Sequence, residues 1–184
     1  DRSVSRGLGD VYKRQYHYRP TDDSDPFQTD IVILSGKQDR FMPKFNYKGF
    51  QFVEVSSSAP IQLSDENLIA VEMHSDVPII GYWSSSSDLL NKIWKATNSS
   101  YLANLFGYPT DCPQREKNGW TGDAHIAIET GLYNFDGISI YEKWMNDFCD
   151  EQKDNGVLPC IIPTSVWGYD WANGVDWTLS LIHI

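Results

Sequence analysis

The hydrophobic period of this chain changes near residue 84, and that change limits the fold to a β-rich part followed by an α-helical part. Before residue 84, short apolar or alternating runs are separated by Ser, Pro and Gly. These runs are 31–34, 50–55, 69–74 and 79–83. Runs of this length and spacing predict strands of an antiparallel sandwich.

Apolar residues recur at helical spacing after residue 84, which predicts three helices. The predicted helices, with their possible caps, begin at Ser87 or Asp88, at Thr121 or Asp123, and at about Ser139. They end by Pro109, by Asp136-Gly137 and by Asn155-Gly156. From Pro159 to Trp177 the chain is rich in aromatic residues and is predicted to form a loop.

The composition excludes several classes of protein. The 184 residues carry a formal net charge of −10, which argues against a protein that binds nucleic acid or a membrane surface through basic residues. No apolar run approaches the roughly 20 residues of a transmembrane helix. Three Cys, without CxxC or His-rich spacing, predict neither a disulfide framework nor a structural metal, and we expect no cofactor. The seven Trp and ten Tyr could form core or stack on sugars.

The two ends of the chain are predicted to be translated adapter sequence rather than natural protein. Residues 179–184 can be encoded by CTG TCT CTT ATA CAC ATC, and the reverse complement of that DNA encodes residues 10–15. Opposite ends of a natural chain have no reason to be translations of the two strands of one oligonucleotide. We therefore expect residues 1–15 and 179–184 to be artefacts, and the natural part to be an internal piece of a longer protein.

The densest cluster of chemically active residues is DCPQREKNGWTGD at 111–123, between the first two predicted helices. Carboxylates accept hydrogen bonds from sugar hydroxyls, an indole covers the apolar face of a pyranose, and a carboxylic acid can protonate a glycosidic oxygen. The spacing alone also fits a solvated loop in which Glu116 pairs with a neighbouring cation, Trp120 is core and Asp123 is only a cap. Cys112 is interpreted as a small apolar residue, because no partnered His is evident.

The same segment resembles the signature of glycoside hydrolase family 78, the inverting α-L-rhamnosidases, in its shorter spelling DCPxREKxGWxGD. The resemblance covers 30–178. Residues 45–55 are similar to the family's strand before the catalytic barrel, and residues 87–94 are similar to its first barrel helix. The resemblance implies the C-terminal part of an antiparallel β-sandwich over 16–84, followed over 85–178 by the first helices of an (α/α)6 barrel, both truncated.

Carried over residue by residue, the resemblance implies a sugar site on this segment. Glu116 matches the general acid that protonates the leaving-group oxygen, and Asp111 and Asp123 match carboxylates that bind rhamnose hydroxyls. The remaining implied roles are Trp120 as a pocket wall near the 6-deoxy methyl group, Trp177 as a further aromatic wall, and Arg115 as a residue that orients a carboxylate.

The family's general base is a Glu that comes much later in the barrel, and no residue of this chain matches it. The resemblance therefore implies an inactive fragment of an inverting enzyme that releases terminal α-L-rhamnosyl residues from oligosaccharides or glycosides. Two other interpretations stay open, a barrel glycosidase for another sugar and a non-catalytic carbohydrate-binding protein. A periplasmic or secreted location is implied by resemblance only, and the sequence leaves linkage preference and oligomeric state open.

Overall fold

The computed structural model describes residues 2–8, 29–164, 168–169 and 175–179. The regular elements are the strands β1 (Arg2–Leu8), β2 (Thr29–Ile33) and β3 (Phe52–Ser57) and the helices α1 (Asp88–Ala103), α2 (Thr121–Asn134), α3 (Ile138–Glu151) and α4 (Val175–Leu179). Two compact units result. The first holds the described residues up to Glu72 together with Pro113–Arg115, and the second holds Met73–Cys112 and the described residues from Glu116 onward. None of the described helices combines the length and the apolar character that crossing a bilayer requires.

The first unit contains a three-stranded antiparallel sheet in the order β2-β1-β3. The register pairs Val4 with Ile31 on one side of β1, and Ser5 with Val55 on the other. The central strand β1 lies within residues 1–15, which are predicted to be adapter sequence. Sheet pairing depends on backbone N–H and C=O groups that almost every residue carries, so a strand here does not identify the origin of its sequence, and that prediction stays a prediction.

Two of the four predicted strands are confirmed and two are wrong. β2 and β3 overlap the predicted runs 31–34 and 50–55, with their bounds shifted by about two residues. The run 69–74 forms no strand, and 79–83 contributes only an isolated bridge between Ile79 and Phe135. An alternating run becomes a strand only where a partner backbone is aligned beside it, and the alternation itself does not supply that partner.

The three long helices are confirmed, and Ser87 holds the N-cap position of α1 as predicted, whereas both predicted caps of α2 are wrong. α1 begins after Ser87, whose side chain makes no capping hydrogen bond. Instead, the Asn91 amide group bonds both the backbone N–H and the carbonyl of Ser85, at 2.8 and 2.9 Å. The N-cap of α2 is Trp120, so neither Thr121 nor Asp123 is the cap. The Thr121 hydroxyl donates to the backbone carbonyl of Trp177 at 2.9 Å and is therefore engaged elsewhere.

The helix α4 corrects only the end of the loop predicted over Pro159–Trp177, from Val175 onward. Residues 165–167 and 170–174 of that predicted loop lie outside the described residues. The helix spans only Val175–Leu179, too short to produce a clear helical period in the sequence. The predicted order of a β-rich part followed by an α-helical part is nevertheless confirmed by the described elements. The completion of these parts into a sandwich and a barrel stays a prediction.

Two groups of buried side chains hold the helices of the second unit together. The first group comprises Ala124, Ile128, Tyr141, Trp144, Phe148 and Ile162, and the second comprises Val77, Tyr101, Leu105 and Phe135. The hydroxyl groups of Tyr101 and Tyr141 lie 2.9 Å apart and connect the two groups. This hydrogen bond satisfies polar atoms whose burial would otherwise cost free energy.

Residues 160–162, before Pro163, are buried in this core and position the residues that precede α2. Trp144 is fully buried, and its indole N–H donates to the carbonyl of Ile162 at 2.6 Å. Ile162 in turn donates its N–H to the carbonyl of Gly119 at 2.9 Å, and Ile161 forms an isolated bridge with Trp120. The start of α2 is therefore fixed to the core through backbone hydrogen bonds.

Candidate active site

The motif loop, residues 111–120, connects α1 to α2 and is closed by hydrogen bonds between its two ends. Asp111 donates its N–H to the carbonyl of Asn118 at 3.0 Å, and Asn118 returns its N–H to Asp111 Oδ1 at 2.9 Å. Lys117 donates its N–H to the carbonyl of Cys112 at 3.2 Å. These bonds fix the loop from within, as a site on an irregular segment requires.

Two backbone positions in the motif loop have unusual requirements. Lys117 has a φ of 56°, in the left-handed region that few non-glycine residues adopt. Gly119 is buried, and a Cβ there would overlap the carbonyl oxygen of Ile162. Gly119 is therefore needed, because the chain passes so close to the core at this point that no side chain fits.

Glu116 is held by the residue that caps α2. The indole N–H of Trp120 donates to Glu116 Oε2 at 2.9 Å, and both side chains are half-buried. A neutral donor at this distance fixes the orientation of the carboxyl group. The same bond brings together the predicted general acid and the predicted pocket-lining indole, which are four residues apart in the sequence.

Asp111 lies beside Glu116 and is perturbed by burial. Desolvation raises the pKa of the Asp111 carboxyl, and the negative charge of Glu116 raises it further. Hydrogen bonds from Cys112 and from the Asn118 backbone act in the opposite direction, because they favour the ionised form. The net result is a pKa above the usual range for an aspartate.

Asp123 lies in the first turn of α2 and also faces Glu116. Desolvation raises the pKa of Asp123, and the charge of Glu116 contributes in the same direction. The Asp123 side chain is exposed, and hydrogen bonds from its own backbone and from the Trp177 side chain lower this pKa, but the partial desolvation outweighs them. Asp111, Glu116 and Asp123 thus form one electrostatically linked group, called here the carboxylate cluster.

Trp177 reaches this region from α4. Its backbone carbonyl accepts the Thr121 hydroxyl, and its indole lies so close to Gly122 that a Cβ there would be 2.6 Å from Cε2. The side chain is 44% exposed and bonds Asp123. Trp177 is therefore seated on the first turn of α2, and its predicted role as a wall of a sugar pocket stays a prediction.

Arg115 is the predicted site residue that the structure groups elsewhere. It is half-buried and belongs with Pro113 and Gln114 to the first compact unit. The other five predicted residues belong to the second unit, where the contacts described above connect them. The orienting role predicted for Arg115 stays a prediction.

Cys112 is a contact residue that the sequence interpretation missed. It is half-buried rather than part of an apolar core, and its thiol donates to Asp111 Oδ2 at 2.9 Å. Its Sγ also accepts the backbone N–H of Glu116 at 3.2 Å. Its place inside the motif was the only available signal, because spacing does not reveal the orientation of a side chain in an irregular loop.

A metal ion is not required to explain this arrangement. Among the described residues, Asp111, Cys112 and Glu116 form a group whose ligand atoms lie within 4.8 Å of one another. Cysteine binds metals as the thiolate, whereas burial raises the pKa of Cys112 and Asp111 raises it further. Hydrogen bonds of the Cys112 thiol to Asp111 and from the Glu116 backbone hold this group together. The expected absence of a metal stays a prediction.

A cavity of about 560 Å³ is lined by residues of α1 and α2 and by the start of the motif loop. This volume falls within the range of about 300–1,000 Å³ that is common for small-molecule sites. Its lining includes Asp111 and Asp123 together with the hydroxyl groups of Thr97, Ser100 and Thr130. Carboxylates and hydroxyls can exchange hydrogen bonds with a polyhydroxylated ligand.

Two family models match the chain. The bacterial alpha-L-rhamnosidase concanavalin-like domain matches residues 7–74, and the bacterial alpha-L-rhamnosidase 6 hairpin glycosidase domain matches residues 78–184. A curated alpha-L-rhamnosidase of Formosa agariphila is 39% identical over 137 residues, which are 70% of this chain and 14% of that protein. This chain spans between 13% and 16% of the length of the curated relatives it matches.

Solved structures are similar over nearly the whole chain. The structure of an alpha-L-rhamnosidase from Dictyoglumus thermophilum matches with a TM-score of 0.84 and 33% identity, covering 98% of this chain and 20% of that one. An alpha-L-rhamnosidase of Streptomyces avermitilis, crystallised in complex with L-rhamnose, matches with a TM-score of 0.81 and 25% identity. That match covers 97% of this chain and 17% of the other.

Proposed function

Because this chain belongs to the bacterial α-L-rhamnosidase family of glycoside hydrolases, we propose that it is part of an enzyme that hydrolyses terminal α-L-rhamnosyl residues. Its substrates are rhamnose-containing oligosaccharides or glycosides. The observation that carries this proposal is the carboxylate cluster, in which Glu116 interacts electrostatically with both Asp111 and Asp123. A carboxylic acid that protonates the glycosidic oxygen is one of the two carboxyl groups that glycoside hydrolysis requires, and neighbouring carboxylates can bind the sugar hydroxyls.

In this proposal Glu116 donates a proton to the glycosidic oxygen as the bond to the rhamnosyl carbon breaks. The indole N–H of Trp120 bonds one carboxyl oxygen, which favours the proton on the other oxygen, where it can be transferred. Asp111 and Asp123 accept hydrogen bonds from rhamnose hydroxyls. Trp120 and Trp177 cover the apolar surface of the sugar, and Arg115 orients a carboxylate.

The proposed stereochemical outcome is inversion. Inversion requires a second carboxylate, about 6.5–9.5 Å from the acid, that activates a water molecule on the opposite face of the sugar. We expect that base to come from outside these 184 residues, from a later part of the barrel. The chain alone should therefore show no turnover, and activity of the purified 184-residue polypeptide would contradict this part of the proposal.

The test is the Glu116→Gln substitution in the complete protein, obtained from the full reading frame. The substitution keeps the shape of the side chain and removes the transferable proton. We expect a loss of about 10²–10⁴-fold in kcat on a natural rhamnosyl disaccharide, because general acid catalysis contributes that much. The loss on 4-nitrophenyl α-L-rhamnoside should be smaller, since that leaving group needs less protonation. Rhamnose binding, measured by calorimetry, should persist.

A matched control is Glu142→Gln, an exposed glutamate on α3, which should retain wild-type activity. Equal activity of Glu116→Gln and wild type on the disaccharide would remove Glu116 from the role of the acid. A wild-type protein that binds rhamnose without hydrolysing any rhamnoside would support a carbohydrate-binding protein instead. Hydrolysis of a different aryl glycoside from a panel would indicate a barrel glycosidase for another sugar.

A further inference from the structure

The thiol of Cys112 bridges two parts of the carboxylate cluster. It donates its hydrogen to Asp111 Oδ2 at 2.9 Å, and its sulfur accepts the backbone N–H of Glu116 at 3.2 Å. The other Asp111 oxygen is already bonded by the N–H of Asn118. One sulfur atom therefore connects the carboxylate of Asp111 to the backbone that carries Glu116.

The bridge depends on a protonated thiol, and the surroundings of Cys112 keep it protonated. Burial raises the pKa of this thiol, and both the hydrogen bond and the negative charge of Asp111 raise it further. Two backbone N–H groups, of Glu116 and Lys117, lower this pKa without reversing the shift. A thiol in the neutral form can donate a hydrogen bond, whereas its reactivity as a nucleophile is suppressed.

We propose that Cys112 is a positioning residue, which fixes the Asp111 carboxylate and the Glu116 backbone relative to each other so that sugar binding and proton transfer occur in one geometry. The inference rests on the proposed function, because it presumes that Glu116 transfers the proton. Cys112 itself neither touches the reacting atoms nor forms a covalent bond. Its effect arises because small errors in the placement of reacting groups strongly lower the rate of the chemical step.

Serine is the informative replacement for this residue. Its hydroxyl can donate to Asp111 and accept from Glu116, as the thiol does. The carbon–oxygen bond is shorter than the carbon–sulfur bond, so one of the two contacts must lengthen. Alanine removes both contacts while it fills most of the same space. A residue that only packs would tolerate alanine better than serine, whereas a residue that bridges by hydrogen bonds would tolerate serine better.

The kinetic test compares Cys112→Ala and Cys112→Ser in the complete protein. For Cys112→Ala we expect kcat on a natural rhamnosyl disaccharide to fall by up to about 10²-fold, the loss that a small misplacement of reacting groups can cause. KM should change less than kcat. Cys112→Ser should recover part of the loss, and the limb of the pH–rate profile that reports the acid should shift in Cys112→Ala. The matched control is Cys149→Ala, an exposed cysteine on α3.

Two kinetic results would overturn the proposal. One is a wild-type kcat and pH profile in Cys112→Ala, and the other is a lower activity in Cys112→Ser than in Cys112→Ala. If Cys112→Ala fails to fold, the pH–rate profile of Cys112→Ser is compared with that of wild type instead. A residue that only packs would leave this profile unchanged.

An infrared measurement tests the bridge without any activity. The S–H stretching band of Cys112, isolated as the difference between wild type and Cys112→Ser, should lie at lower frequency than the band of exposed Cys149. Asp111→Asn should change it, because the acceptor changes from a charged to a neutral oxygen. A band at the position of an unbonded thiol would overturn the bridge. If wild type hydrolyses no rhamnoside, the proposed function fails, and this band alone decides whether the thiol contact exists.

Discussion

The helical core around Trp144 and the carboxylate cluster are held by different interactions. In the core, apolar side chains are almost completely withdrawn from water, and the rings of Trp144 and Phe148 meet edge to face with centroids 4.9 Å apart. In the cluster, side chains are only half-buried or exposed and are held by hydrogen bonds. Desolvation there disfavours the charged forms of the half-buried Asp111 and, although its side chain is exposed, of Asp123.

The two regions therefore contribute to stability with opposite signs. Withdrawing apolar surface from water stabilises the fold, whereas withdrawing ionisable groups costs free energy unless they are fully paired. The cost is concentrated where the proposed chemistry needs poised carboxyl groups, which is common for active sites. Core substitutions should therefore weaken the fold, whereas the removal of a charge from the cluster should not.

The largest expected effect is the loss of stability on Trp144→Ala. This side chain is fully buried and donates to the Ile162 carbonyl. Its removal leaves a cavity and an unsatisfied carbonyl, for which we expect a loss of about 3–5 kcal/mol in the free energy of unfolding. Urea denaturation of the complete protein measures this value. The control is Met145→Ala on the same helix, where the side chain is 42% exposed, and similar losses for both variants would contradict the core assignment.

The second expected effect tests how tightly the core is packed. Gly131 lies within α2, and a Cβ there would overlap the hydroxyl end of Tyr101. Helix propensity favours Ala over Gly by about 1 kcal/mol, but overpacking a core costs about 1–3 kcal/mol. We therefore expect Gly131→Ala to lower the unfolding temperature.

The control for that substitution is Gly137→Ala. A Cβ at Gly137 would meet its nearest neighbour, Val77 Cγ1, only at 3.8 Å, which is ordinary contact. Gly137 is the N-cap of α3, where Ala is less favourable than Gly, so this variant should lose some stability but less than Gly131→Ala. If calorimetry shows Gly131→Ala to be as stable as Gly137→Ala, the core around Tyr101 has room for the added methyl group and is less tightly packed than described here.

How much of the fold could be predicted depends on how local its hydrogen bonds are. A helix satisfies its backbone within one segment, so the apolar period was sufficient for α1, α2 and α3. A strand needs a partner from elsewhere in the chain, and the run 69–74 is alternating yet forms no strand. The short helix α4 is docked through Thr121, 56 residues earlier, and such a contact leaves no periodic signal.

In the candidate site, too, contacts between residues close in the sequence could be predicted better than long-range contacts. Glu116 and Trp120 are four residues apart, and the loop between the helices brings them into contact, whereas their roles in a sugar site stay predictions. The contact between the Trp177 indole and Gly122 depends on long-range packing, so only the resemblance to a family indicates Trp177 as a site residue. The bridge formed by Cys112 depends on side-chain orientation, which neither spacing nor composition encodes.

The smallest expected effect separates the carboxylate cluster from the core by its pH dependence. Because the pKa of Asp111 is raised in the folded protein, the folded state binds this proton more tightly than the unfolded chain does. The resulting stabilisation is fully present below the unfolded pKa of about 3.8 and is lost as the pH rises through the folded pKa.

Asp111→Asn removes this dependence, so its stability relative to wild type should increase as the pH rises from about 4 toward neutrality. Urea denaturation at a series of pH values measures the difference, with Asp150→Asn, exposed on α3, as the control. A difference that falls with rising pH would mean that the ionised Asp111 stabilises the fold, and the contrast between the cluster and the core would be lost.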